Sequence, residues 1–354
     1  MVPQLGTATD AGTQDPAAAD AVVQPWLDAL RGLIPMPQKY RRFAVDRASA
    51  RALLGCRAVV LDSLVAAGIP HTGTGDAVLF DYYDLANIAL YSGAVTSVPL
   101  AGQRMMIRYA SAAPETWTPP RGWDIEWKLS CRDARCPGGQ WRVVLPTPEV
   151  FGGRIDELDC DQESVTENGV LTVQNSPVVR LTGRVSTAGR HTPLKSAVAR
   201  RLFDDTLAEL LDGRYRFQWM HPRLRTDSAV AEEIRIMDCT VCALRVQRQA
   251  LAEGLTVRTR RGRFMGVLDA EHSWLEVLDE DGVWKPLDPV IALLALRHKR
   301  AREDFVDFCA GSVPSRFLPW TVAAGEPLAE HRCPVGSGAW DNTFSGTAAK
   351  GNNA

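Results

Sequence analysis

Three residues in the second half of this chain have the types and spacing for nucleophilic catalysis: Cys239, His272 and Asp288. A cysteine nucleophile needs a base to manage its proton, and the base needs a partner that holds it in one tautomer. Asp238 is placed to cap a helix in which Val241, Leu244, Ala250 and Leu251 recur at helical spacing, and Gly254 closes it. Cys239 then stands at the helix N-terminus. There the backbone dipole favours a thiolate, and the free N–H groups are positioned for an oxyanion.

The elements that must position the other two residues follow in order. Residues 255–260 read as a strand, with Arg261, Gly262 and Arg263 as a turn after it. From His272 to Val277 the residues alternate, so that His272, Trp274 and Glu276 share one face. Asp281-Gly282 is a hairpin signal, and a return strand over 283–287 brings Asp288 back beside His272.

These blocks resemble the core of the transglutaminase-like superfamily, a papain-like group of Cys-His-Asp enzymes. The family pattern is a cysteine, a helix ending in a Gly-Ile-Pro-Ala-Arg type of turn, then His-Ala-Trp-x-Glu-Val and Gly-x-Trp-x-Pro-x-Asp-Pro. The matching residues are Cys239, Gly254 and Arg258, then His272, Trp274, Glu276 and Val277, then Gly282, Trp284, Pro286, Asp288 and Pro289, all within residues 238–289. Thr256 stands where the pattern has proline. The resemblance implies Cys239 as nucleophile, His272 as general base and acid, and Asp288 as orienter. It implies an α+β fold, with a transglutaminase-like core over 195–325 in which a helix packs on an antiparallel sheet. Family members often line the acyl site with a group upstream of the cysteine. Gln218 and Trp219 are the candidates, through an amide or indole donor, with core packing the plainer account of Trp219.

Cys239 and Cys242 form a C-x-x-C, which also fits a redox pair or half a zinc site. No second C-x-x-C follows at zinc-ribbon spacing. Aligned with the family blocks, the distance to Gly254 favours Cys239 as nucleophile and leaves Cys242 as a buried apolar residue. Cys131 and Cys136 flank a loop, with Cys160 further on, but spacing names no fourth ligand there. No metal and no cofactor are expected.

The 354 residues carry 40 Lys+Arg against 42 Asp+Glu, a formal net charge of -2, so no global field favours nucleic acid or an anionic membrane. The short basic run from Arg297 to Arg300 is followed by Glu303 and Asp304 and reads as a solvated helix face. No run reaches membrane-spanning length, and the first residues lack the basic and apolar regions of a secretory signal. With eight scattered cysteines, the expected setting is a reducing cytoplasm.

The expected organisation is a disordered lead-in over 1–20, a helical then β-rich region over 21–190 that selects substrate or partner, the core, and a disordered tail over 339–354. Helices are expected at 21–34, 47–67, 81–91, 196–211 and 290–310. Strand-like runs lie at 105–109, 123–129, 141–145, 170–173 and 178–181. Asp81, Asp84 and Asn87, three apart, predict either a solvated helix face or a polar contact surface.

Three functions follow. The first is acyl transfer through a Cys239 acyl-enzyme, forming an amide from a thioester or amide donor. Its substrate is a small-molecule or carrier-protein-bound acyl group with an amine acceptor, as in transglutaminase-like amide synthases of natural-product pathways. The alternatives are a cysteine peptidase or amidase, and an interaction module that keeps the fold without activity.

Overall fold

The computed structural model describes residues 16–94, 96–266, 270–297 and 301–349. The chain divides into two compact units at Ala101/Gly102. The β-rich segment that follows shares its buried cluster with Met265, Leu318 and Trp320 from the second half of the chain.

The first unit is built from α1 (Pro16–Arg31), β1 (Phe43–Asp46), α2 (Arg47–Leu54), α3 (Ala58–Ala66), β2 (His71–Thr72), β3 (Leu79–Asp81) and α4 (Tyr82–Ser92), and the division falls within α5 (Val98–Ala110). Trp26, Leu54, Leu61, Phe80 and Ile88 form its core. The single helix expected over 47–67 is two. Gly55 takes a left-handed φ of 59°, and a Cβ there would lie 2.3 Å from the Thr96 carbonyl oxygen, so the chain turns where a helix would continue. The 105–109 run belongs to helix α5 and not to a strand. Residues 16–20, expected to be disordered, open α1; residues 1–15 of that lead-in lie outside the described residues.

Asp81, Asp84 and Asn87 are buried, which removes both readings of them as a surface. Asp81 caps α4 through the Tyr83 and Asp84 N–H groups. Asp84 accepts from Arg41 Nε at 2.9 Å. Burial raises the Asp84 carboxyl to about 6 despite that arginine.

The second unit begins with six strands: β4 (Arg121–Cys131), β5 (Gly139–Val144), β6 (Arg154–Cys160), β7 (Ser164–Glu167), β8 (Val170–Ser176) and β9 (Val178–Thr187). Then come α6 (Ala197–Leu211), β10 (Arg216–Phe217), α7 (Pro222–Thr226), α8 (Ser228–Glu233), β11 (Ile236–Met237), α9 (Cys239–Ala252), β12 (Val257–Phe264), β13 (Ala270–Leu278), β14 (Trp284–Leu287), α10 (Pro289–Leu296), α11 (Glu303–Phe308), β15 (Phe317–Trp320), β16 (Ala329–Arg332) and β17 (Trp340–Ala348). The fold is α+β. The long helix expected over 290–310 is the pair α10 and α11; residues 298–300, which carry most of the basic run, lie outside the described residues.

Three four-stranded antiparallel sheets organise this unit. Their orders are β14-β13-β12-β15, β16-β5-β8-β7 and β17-β4-β9-β6. The two sheets made from the β4–β9 segment are each completed at one edge by a strand from the end of the chain. The tail expected to be disordered thus holds β17, whose Trp340 and Phe344 pack against the buried cluster. Residues 350–354 lie outside the described residues. That cluster joins Trp123, Trp127, Trp141 and Val173 to Met265, Leu318 and Trp320. Each buried indole has a polar partner: Trp123 donates to Thr187, Trp127 to Asn342, Trp141 to the Ser176 carbonyl and Trp320 to the Val144 carbonyl, at 2.7–2.9 Å.

Arg261, Gly262 and Arg263 continue β12 instead of turning. A Cβ on Gly262 would stand 2.7 Å from the Trp274 ring, so glycine here makes room for the indole on the next strand. Glu276, fully buried on β13, accepts from Arg258 Nε at 2.6 Å, from Arg260 at 2.5 and 2.9 Å and from Trp274 Nε1 at 3.2 Å. Removing one partner of a buried ion pair leaves uncompensated charge. Glu276→Ala is expected to lower unfolding stability by about 3–5 kcal/mol in chemical denaturation. A change within the range of ordinary surface substitutions would show that this carboxylate does not hold the sheet.

Candidate active site

Cys239, His272 and Asp288 come from the start of α9, the first half of β13 and the residue after β14. Asp238 caps α9 by accepting from the Thr240 and Val241 N–H groups, both at 3.0 Å, and its other oxygen accepts from Arg225 Nε at 2.5 Å. The cap occupies two first-turn donors that the sequence reading offers to an oxyanion. Thr240 Oγ1 lies 3.2 Å from Ser273 Oγ, which ties the helix start to the strand beside His272.

His272 Nε2 is hydrogen-bonded to Asp288 Oδ2, and the Cys239 thiol is near enough to the same ring to help raise its pKa. Both His272 and Asp288 are buried, while Cys239 is half-buried. Since Nε2 serves the carboxylate, Nδ1 is the nitrogen left for the thiol. Trp274 and Phe317 flank the imidazole at 5.8 and 5.6 Å between ring centroids and stack on each other at 4.5 Å. The three sequence-predicted residues are brought together around the His272 ring, with Asp288 hydrogen-bonded to it and the Cys239 thiol beside it.

Burial by itself would lower the His272 pKa. The Asp288 carboxylate and the Cys239 thiol outweigh it and raise the value to about 10. The imidazolium is therefore the form this site favours at neutral pH. A histidine whose folded value is raised contributes stability that is complete below its ordinary 6.5 and fades as pH rises through about 10. The melting-temperature advantage of the native chain over His272→Asn should accordingly shrink between pH 7 and 10. An advantage that stays constant over that window would contradict a charged ring.

Asp288 has a second duty that sequence reasoning missed. Its Oδ1 accepts from the Ile291 N–H at 3.1 Å and caps α10, with Pro289 in the first turn. The signal was present: an aspartate directly before proline at the start of an apolar run is an N-terminal helix signature. Asp288→Asn retains an oxygen for the cap but not the charge beside the imidazole, whereas Asp288→Ala loses both. We expect both variants to lose thiol alkylation at Cys239. Asp288→Ala should lose about 0.5–2 kcal/mol more stability than Asp288→Asn, the usual worth of a cap. Equal stabilities would remove the capping role.

Gln218 and Trp219 follow β10, whose parallel partner β11 leads straight into Asp238 and Cys239. The Gln218 N–H donates to the Met237 carbonyl at 3.1 Å, which sets Gln218 level with the residues that open α9. Gln218 is fully buried and Trp219 half-buried. Cys242 is buried, and that burial lifts its thiol well above the ordinary value, so it is a poor nucleophile. Cys239 and Cys242 are both free thiols.

The residues able to hold a metal lie elsewhere in this unit. Among the described residues, Cys131, Cys136, His331 and Cys333 place their ligand atoms within 4.8 Å of one another. The expectation of no metal ligands rests on local spacing, which shows only the first two of these four; Cys160 is not among them. No helix among the described residues is long and apolar enough to cross a membrane.

No protein-family model matches the chain, and no curated protein matches it. A solved structure named "Putative Cysteine Protease" from Cytophaga hutchinsonii is similar at 11% identity and a TM-score of 0.37, over 66% of this chain and 91% of that one. At that TM-score the likeness decides nothing about the site, which stands on its own geometry.

Proposed function

We propose that this chain is a cysteine-dependent acyl-transfer enzyme with a papain-like core, in which Cys239 is the nucleophile, His272 the general base and acid, and Asp288 the group that holds the ring. The observation that supports this reading most directly is buried His272, hydrogen-bonded to buried Asp288 and flanked by the half-buried Cys239 thiol that helps raise its pKa. The Asp288 carboxylate favours the imidazolium, which puts a proton donor beside the sulfur.

In the proposed reaction the Cys239 thiolate attacks the carbonyl carbon of an amide or thioester, and the carbonyl electron pair moves onto oxygen. Collapse of that adduct breaks the bond to the amine or thiol, which takes the proton from the His272 imidazolium. The neutral ring then removes a proton from the incoming acceptor as it attacks the acyl-enzyme, and the thiolate is restored. Asp288 stays ionised throughout and fixes which nitrogen faces the sulfur. Because Asp238 occupies the Thr240 and Val241 N–H groups, we assign the oxyanion to the Cys239 N–H and the Gln218 amide. Water as acceptor gives hydrolysis; an amine gives a new amide.

The test is intact-mass analysis after incubation with a short acyl thioester, with and without an added amine. An acyl adduct should form on native protein and on Cys242→Ala, but not on Cys239→Ala, and product masses separate hydrolysis from transfer. Gln218→Ala is expected to lower turnover by about 10²–10³-fold with the adduct still mapping to Cys239. Failure to form any adduct, together with iodoacetamide labelling of Cys239 that is indifferent to His272→Ala, would reduce the site to an inactive fold.

A further inference from the structure

We propose that Cys131, Cys136, His331 and Cys333 bind one structural zinc ion that clasps the two sheets of the β4–β9 segment at their shared corner. The four residues come from two connections of the same kind. Cys131 ends β4 in one sheet, and Cys136 lies in the loop that leads to β5 in the other. His331 lies on β16, beside β5, and Cys333 follows it on the way to β17, beside β4. Each connection passes from one sheet to the other and contributes two ligands. A metal between them would fasten both crossings at once.

The local geometry fits zinc. Cys136 Sγ is 3.6 Å from His331 Nε2. Zinc bonds of about 2.3 Å to sulfur and about 2.0–2.1 Å to nitrogen, set at tetrahedral angles, separate two such ligands by about 3.6 Å. Three thiolates and one imidazole form a soft donor set that selects zinc over hard cations. Four protein ligands fill a tetrahedron and leave no position for water, which marks the site as structural.

The surroundings are built for such a centre. Trp141 stacks on the His331 ring, 4.1 Å away at 18°, and fixes its plane. A Cβ on Gly139 would lie 2.7 Å from the His331 ring, so glycine lets the imidazole sit against the β5 backbone. A cavity of about 400 Å³ adjoins the cluster, lined in part by Ser130, Cys131, Cys136 and Pro177.

The experiment uses the full chain purified without chelator. Elemental analysis should find one zinc per chain, unchanged in Cys239→Ala. After removal of zinc under reducing conditions, cobalt(II) should produce the visible bands of a tetrahedral thiolate site. His331→Cys should keep cobalt and alter its spectrum, whereas Cys333→Ser should lose or broaden the bands. Because the native protein and Cys239→Ala carry the main readouts, misfolding of a ligand variant does not blur the result. Protein from zinc-supplemented growth that holds no stoichiometric metal and gives no such cobalt spectrum would overturn the proposal. So would an intact mass and peptide map showing a disulfide among Cys131, Cys136 and Cys333 in the native chain. None of these readouts depends on acyl transfer.

Discussion

The two oxygens of the Asp288 carboxylate join the elements on which the candidate site depends. One receives the Ile291 N–H in the first turn of an apolar helix, and the other receives the imidazole of His272. The helix fixes the carboxylate by its own need for a cap, so the ring is held by a group with little freedom to turn away. A hydrogen bond that had to order a flexible acid would forfeit part of its strength to side-chain entropy. Here the ordering is shared with the helix start.

Rigidity continues behind the ring. Trp274 lies against His272 and Phe317, and its N–H is held by Glu276, which two arginines also engage. A buried carboxylate with this many donors is costly to assemble, but it leaves the aromatic wall in one place. Gly262 belongs to the same arrangement, because any side chain there would push into the Trp274 ring. Position in the site is thus set by packing and charge pairing one layer away from the sulfur.

Much of the candidate site was legible in the sequence because its signals are short-range. An aspartate before a helix, alternation from His272 to Val277 and an Asp-Gly turn each declare themselves within a few residues. What the sequence hid are partnerships between distant segments. Asp84 reads as a surface acid until Arg41 is seen beside it inside the first unit. Met105 to Tyr109 is an apolar run too short to separate helix from strand. The Gly- and Asn-rich end of the chain masks the pairing of β17 with β4 over nine residues. Cys131 and Cys136 look incomplete because their companions lie some two hundred positions later.

The edge strands β16 and β17 also impose an order of events on biosynthesis. A nascent chain emerging from the ribosome can pair β4 with β9 and β5 with β8 early, but β5 lacks its outer partner until translation has passed Arg332, and β4 lacks its own until it has passed Ala348. Exposed edges of that kind are templates for pairing with another molecule. Folding of the second unit is therefore finished after synthesis of the segment that carries Cys239, His272 and Asp288, and a polypeptide that stops short of β17 would present all three on a scaffold prone to self-association.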